Sequence, residues 1–251
     1  MTRNTLFIAS SVRSGSTYIA EEIAYRLQRD AGFQFFGLTK DAFSELTDHS
    51  TAGEIKAIYS GLFLDKSGWA SSKIHCAGLS LITRESRRDA ELHEAFFGAK
   101  ARWIIVRRRN RISQAVSLAH ARKSGAWHVY GESPPAADDA AEIAWKEVED
   151  ALRAISLDDA YLDAFEMQLA PERVVNILYE DVIKSGRKAA SAMIKLCDLS
   201  VELKRDKKKQ VAKIVAAGGT AKTELSRGFA AWFTENYHQV SDDMETSSGR
   251  E

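Results

Sequence analysis

Two short runs, Leu6-Phe7-Ile8-Ala9 and Trp103-Ile104-Ile105-Val106, contain no polar side chain. A strand with one face in water alternates apolar and polar residues. A strand that is apolar throughout is buried on both faces, which is the habit of parallel sheets. Each run is followed by a different period. Ile19, Ile23 and Leu27 recur every four residues after the first, and Ile112, Ala115, Val116 and Ala119 mark an amphipathic helix after the second. Arg173 to Leu178 reads as another buried strand, and Ser72 to His75 is a candidate strand. Strands that alternate with helices predict an α/β fold: a three-layer domain with a central parallel sheet flanked by helices.

Helices are expected over 16–32, weakly over 41–64, then over 81–97, 138–169, 186–196 and 201–217, with a second short strand at 34–36. Gly131-Glu132-Ser133-Pro134-Pro135 punctuates a loop. No internal repeat and no Gly/Ser-rich linker divides the chain. One domain is therefore expected over 1–243, followed by a polar, disordered tail over 244–251.

Lys plus Arg and Asp plus Glu both total 35 in 251 residues, a net charge of zero. A domain whose main partner is bulk nucleic acid carries a basic excess, so no nucleic-acid partner is expected. The two cysteines, Cys76 and Cys197, form no CxxC pair, and no histidine stands at metal-ligand spacing. That argues against a disulfide framework and against a bound metal. The apolar stretch near the N-terminus is too short for a signal peptide, and no run is long enough for a membrane span. The expectation is a cytoplasmic protein, with a homodimer left open.

Between the first strand and the first helix lies Val12-Arg13-Ser14-Gly15-Ser16-Thr17. Strand, small-residue loop, helix is the geometry of a P-loop-like phosphate site. Gly15 lets the backbone turn close to an anion. Ser14, Ser16 and Thr17 add hydroxyls, and the helix start offers free amides and a favourable dipole. Arg13 adds a full charge and several donors. An ATPase loop follows its last glycine with Lys and Ser/Thr, where the hydroxyl holds magnesium. Here no Lys follows Gly15, and the basic group precedes it.

A second basic element, Arg107-Arg108-Arg109-Asn110-Arg111, follows the strand that ends at Val106. Four arginines oppose the dipole of the helix they introduce, which is easier to explain if an anion binds there. Ser117 lies eight residues beyond Arg109, a little over two helical turns. The pair is placed to grip a second phosphate at the carboxyl edge of the sheet.

Arg13-Ser14-Gly15-Ser16-Thr17 resembles the 5′-phosphosulfate loop of sulfotransferases. The stretch from Trp103 to Ser117 resembles their 3′-phosphate motif. Gln114-Ala115-Val116-Ser117-Leu118 through Trp127-His128, with Tyr179-Glu180-Asp181, is similar to the bacterial trehalose 2-sulfotransferase family. The resemblance implies 3′-phosphoadenosine 5′-phosphosulfate (PAPS) as sulfuryl donor without a metal, and a carbohydrate or glycolipid hydroxyl as acceptor. It puts Arg13, Ser14, Gly15, Ser16 and Thr17 on the 5′ side and Arg109 with Ser117 on the 3′-phosphate.

Lys73-Ile74-His75 resembles the Lys-x-His of many sulfotransferases, in which Lys stabilises the transferred group and His acts as base. His75, Lys73 and Arg13 are thus the implied catalytic residues. The trehalose family carries a Glu followed by aromatic residues where Gln34-Phe35-Phe36 stands here. A Gln cannot take a proton, which leaves either His75 or a nearby carboxylate such as Asp41 or Glu45 as base. Gln34 is kept as a substrate-binding candidate. The competing functions are a degenerate P-loop nucleotide kinase or NTPase, and a non-catalytic nucleotide-binding protein.

Overall fold

The computed structural model describes residues 3–33, 35–125, 127, 143–204 and 220–247. Among these, four strands form one sheet: β1 (Asn4–Ser10), β2 (Trp69–His75), β3 (Ala101–Arg107) and β4 (Val174–Leu178). Their order is β2-β1-β3-β4, and every pairing is parallel. The α/β expectation holds.

The helices are α1 (Ser16–Ala31), α2 (Ala52–Gly61), α3 (Cys76–Ser86), α4 (Ala90–Phe97), α5 (Arg111–Ser124), α6 (Trp145–Glu166), α7 (Tyr179–Lys184), α8 (Gly186–Leu196) and α9 (Thr220–Ser247). The chain divides into two compact units. The first, residues 1–109 and 155–215, holds the whole sheet. The second, residues 110–154 and 216–251, holds α5, the start of α6 and α9.

The first unit has a core on each face of the sheet, and the apolar runs explain why. Phe7 and Ala9 of β1 and Trp103 and Ile105 of β3 point to one face, where they meet Phe96, Phe165 and Ile82. Leu6, Ile8, Ile104 and Val106 point to the other, against Ile19, Ile23 and Leu27 of α1 and Met193 of α8. Successive side chains leave a strand on opposite faces, so burial of both faces requires an unbroken apolar run. Trp103 is 1% exposed and stacks on Phe7 with ring centroids 4.6 Å apart. Its Nε1–H donates to the Phe96 carbonyl at 2.9 Å, which satisfies its one polar atom.

In the second unit α5 packs on α9, and Phe229 stands between Trp145 and Phe233 at centroid distances of 6.1 and 5.6 Å.

Several expectations are corrected. Phe35 and Phe36 are not in a strand: a 3-10 turn covers Phe36–Thr39. Only Ala52–Gly61 of the weakly patterned stretch 41–64 is an α-helix. It starts where Thr51 and Glu54 close a capping box. The single helix expected over 81–97 is two helices, because the Asp89 carboxylate accepts the Glu91 and Leu92 amides at 3.1 and 3.0 Å and starts a new one. Of the helix expected over 138–169, α6 covers Trp145–Glu166 without a break. Helix α9 had no counterpart in the sequence reading; it runs to Ser247, and residues 248–251 lie outside the described residues.

Candidate functional site

All four strands run the same way, so their carboxyl ends share one edge. Ser10 ends β1, His75 ends β2, Arg107 ends β3 and Leu178 ends β4. The register places Ser10 beside His75 on one side and beside Val106 on the other. The chain leaves this edge through four connections: the loop before α1, α3, the arginine run and α7.

The loop after β1 turns twice through the left-handed region, with φ of 58° at Arg13 and 89° at Gly15. Gly15 is the N-cap of α1 and has no side chain to close it. Among the described residues the first-turn amides of α1 therefore lack a capping side chain, and with the helix dipole they favour an anion. Gly15 is required for a second reason: a Cβ there would collide with the Tyr179 ring. Ser14 is fully buried, and its Oγ has no hydrogen-bond partner among the described residues. A buried hydroxyl left in that state is costly unless a ligand completes it.

Three cationic side chains converge on this loop. Lys73, 5% exposed, donates from Nζ to Thr17 Oγ1 at 2.9 Å. Burial holds its pKa below the usual lysine value, with Asp41 acting in the opposite direction. Burial also lowers the pKa of Arg13, and the Arg108 charge lowers it further. Arg108 lies over the Tyr179 ring, 5.0 Å from its centroid, and donates to the Arg13 carbonyl at 3.3 Å. Its own pKa is lowered by burial, against the pull of Tyr179 and Glu180. Desolvation dominates at all three groups, so a bound anion would stabilise each of them.

His75 borders this cluster. Its Nδ1 is 3.3 Å from Ser10 Oγ, and its backbone N–H donates to Asp41 Oδ2 at 3.0 Å. Asp41 Oδ1 accepts the Phe43 amide at 3.0 Å, so this carboxylate caps backbone on both oxygens. The next residue, Cys76, has its Sγ 3.4 Å from the Ser10 carbonyl and 3.6 Å from the Asp158 carbonyl, and its one S–H can serve either. Burial pushes its thiol pKa far up, with Asp158 and Asp159 adding to the shift. Cys76 is therefore a packed thiol rather than a nucleophile. Ser11 donates to Asp159 Oδ1 at 3.4 Å, which ties the edge to α6.

The structure thus brings Arg13, Ser14, Gly15, Ser16, Thr17, Lys73 and His75 to one edge. Arg109 precedes the helix rather than starting it. Helix α5 begins at Arg111, with Asn110 as N-cap accepting the Ser113 amide at 2.9 Å. The Arg109 amide donates to both oxygens of Glu180 at 3.0 Å, while its exposed guanidinium is 4.0 Å from Asp181. Ser117 is buried on α5, in the second unit. Gln34 lies outside the described residues.

Arg108, Tyr179 and Ser10 belong to the site and were not singled out individually by the sequence. For Arg108 a signal existed. Ile104 and Val106 face α1, and continued alternation puts Arg108 on that side, next to the loop, while Arg107 turns away to Asp163 and Glu166 at 2.7 and 3.0 Å. Among the described residues no group of three or more His, Cys, Asp or Glu could hold a metal, and no helix is long and apolar enough to cross a membrane.

The family model for Stf0 sulphotransferase matches residues 61–223. That span covers β2, β3, the arginine run and β4, and it leaves the loop after β1 outside. No curated protein matches the chain. Among solved structures, a sulfotransferase from Alicyclobacillus acidocaldarius is similar at 12% identity and TM-score 0.48, covering 92% of this chain and 93% of that one. The sulfotransferase domain from the curacin biosynthetic pathway is 16% identical at TM-score 0.44, covering 88% and 82%. The sulfotransferase domain from the Synechococcus PCC 7002 olefin synthase is 13% identical at TM-score 0.40, covering 91% and 95%.

Proposed function

The chain belongs to the Stf0 sulphotransferase family and is a sulfotransferase; from that premise we propose that its donor is PAPS, held without a metal, and its acceptor a carbohydrate or glycolipid hydroxyl. The observation that carries the donor is the cradle around the first loop. Three desolvated cations, an uncapped helix start and the buried Ser14 hydroxyl all favour one anionic ligand. The residues fit a phosphosulfate: Arg13 and the amides of Ser16 and Thr17 hold its oxygens, Ser14 Oγ gains a partner, and the Gly15 backbone admits a close approach.

PAPS supplies an activated sulfuryl group whose departure leaves charge on a phosphate oxygen. Arg13 and Lys73 stabilise that charge from the loop side, in a buried setting where each donor counts for more than in water. His75 stands at the end of the neighbouring strand, at the same sheet edge, where the family resemblance gives it the role of base. Arg109, whose guanidinium is 61% exposed and 4.0 Å from Asp181, is assigned to the donor's 3′-phosphate. The carbohydrate or glycolipid nature of the acceptor rests on the family resemblance.

Calorimetric titration with 3′,5′-bisphosphoadenosine, against 5′-AMP and against ATP with magnesium, tests the donor. The bisphosphate should bind most tightly. Arg109→Ala should erase its advantage over 5′-AMP, a loss of at least tenfold if one charge-assisted bond of about 1.5–3 kcal/mol is removed. Equal binding of the three nucleotides would sink the PAPS reading, and magnesium-dependent ATP binding alone would favour a kinase or NTPase.

A further inference from the structure

We propose that Arg108 is a positioning residue of the anion site: braced on the Tyr179 ring, it holds the Arg13 carbonyl and so keeps the first loop in the turn that presents its amides to the ligand. The consequence for sulfuryl transfer rests on the sulfotransferase reading. The fold of the loop does not.

The turn needs a cause. Among the described residues only Arg13 and Asp198 combine a side chain with a positive φ, and Arg13 does so at 58°. A left-handed backbone is unfavourable for a residue with a Cβ, and it persists where the surroundings over-determine it. Gly15 enters the same region at 89°, and Ser14 between them does not. Such alternation turns successive amides to one side of the chain, the concave arrangement that receives anions. The Arg13 carbonyl accepts a hydrogen bond from Arg108 Nη1 at 3.3 Å. That bond stabilises the peptide that follows the strained residue, at the point where the turn begins.

Arg108 is itself held. Its guanidinium lies 5.0 Å from the centroid of the Tyr179 ring. The same ring lies against Gly15, where it occupies the place a Cβ would take. One aromatic surface therefore touches the turn and supports the cation that ties it. Tyr179 is 9% exposed, opens α7 and meets Tyr18 of α1 edge-on at a centroid distance of 5.9 Å. Glu180 accepts the Arg109 amide with both carboxylate oxygens at 3.0 Å, which anchors the backbone next to Arg108. The start of α7 thus constrains Arg108 through its side chain and through its backbone. Arg108 carries that constraint to Arg13, 95 residues earlier in the chain. Removal of an arginine that served the anion by charge alone would leave the ligand-free loop unaltered. Removal of one that holds the Arg13 carbonyl would not.

The experiment reads the ligand-free loop first. The pair Arg-Ser occurs once in the sequence, at Arg13-Ser14. Carbonyl carbon-13 arginine combined with nitrogen-15 serine therefore gives one carbonyl-to-amide NMR peak, from that peptide. In Arg108→Met the Arg13 carbonyl should move upfield as it loses its donor. Arg108→Lys, which keeps a charged donor, should stay near the original position. Arg108→Gln, too short to reach the carbonyl, should behave as Arg108→Met and serves in its place if that variant does not fold. Calorimetry with inorganic pyrophosphate and with 3′,5′-bisphosphoadenosine then reads the ligand. Affinity for both should fall at least about tenfold in Arg108→Met and Arg108→Gln, the loss expected for one charge-assisted hydrogen bond, and should recover in Arg108→Lys. An unmoved carbonyl peak would overturn the proposal whatever the affinity, since Arg108 would then act on the anion directly or not at all. A moved peak with unchanged pyrophosphate affinity would overturn it as well. Pyrophosphate binding that depends on Arg108, without preference for the bisphosphate over 5′-AMP, would sink the PAPS reading and leave this proposal standing. If the unaltered protein bound neither anion, both would fail.

Discussion

Lys73→Met separates what Lys73 does for function from what it does to stability. The ammonium is 5% exposed, and among the described residues its Nζ makes one hydrogen bond, to Thr17, and no ion pair. Burial lowers its pKa more than Asp41 raises it, so the folded protein carries the charge at a cost. Replacing buried charges by apolar groups of similar size often stabilises by about 1–4 kcal/mol. The Thr17 hydrogen bond lost with it is worth about 1 kcal/mol. The net expectation lies between no change and a gain of about 3 kcal/mol at neutral pH, or up to about 12 °C in Tm for a chain of this size. Sulfuryl transfer should fall by about 10²–10³, the usual loss when one donor to developing charge is removed.

The pH dependence gives the sign. The folded-state pKa lies below the ordinary 10.5, so between the two values the unfolded chain binds the extra proton. The stability of the unaltered protein therefore rises with pH across that window, and the advantage of Lys73→Met shrinks as 10.5 is approached. Urea unfolding of both proteins at a series of pH values from 7 to 10 reads this directly. A variant less stable than the original by more than about 1 kcal/mol at pH 7 would refute the argument. So would an advantage that widens with pH.

Two further outcomes follow from the same edge and core. Gly15→Ala forces a side chain into a φ of 89° and toward the Tyr179 ring. It should cost about 1–2 kcal/mol from backbone strain alone and weaken bisphosphate binding at least tenfold, measured by urea unfolding and calorimetry; unchanged affinity would disconnect the loop from the ligand. Burial pushes the Cys197 thiol up to about 12, with Arg102 acting the other way, so its contribution is intact below the ordinary 9.0 and is lost as pH rises from there toward 12. Cys197→Ala should lessen the alkaline loss of stability by up to about 1.4 kcal/mol per pH unit, and parallel pH curves for the two proteins would contradict the assignment.

The apolar runs at Leu6–Ala9 and Trp103–Val106, each followed by a helical period, were sufficient to read a parallel sheet, because short runs buried on both faces and alternating with helices are the pattern of that fold. The loop Arg13–Thr17 was legible for a similar reason: its spacing to strand and helix is local, and local geometry follows from local sequence. Lys73 and His75 could be assigned to the sheet edge because they end a strand. Helix α2 was poorly legible, since its start depends on the Thr51–Glu54 capping box rather than on a strong apolar stripe. The break between α3 and α4 depends in the same way on the Asp89 cap.

Alternation along β3 separates Arg107 from Arg108, but only tertiary structure decided which side of the sheet meets the first loop. All three arginines of the run carry the same charge, and strand direction with the position of Tyr179 sends Arg108 to the loop and Arg107 to α6. Tertiary structure alone decided that Ser10 meets His75. The two are 65 residues apart in sequence, and their contact comes from the register between β1 and β2. The sequence by itself determined the layers and the anion-binding loop, because periodicity and turn chemistry act over a few residues. The contact between Ser10 and His75 and the depth at which Lys73 is buried depend on what long-range packing brings alongside, and desolvation and hydrogen-bond satisfaction have no counterpart in local sequence.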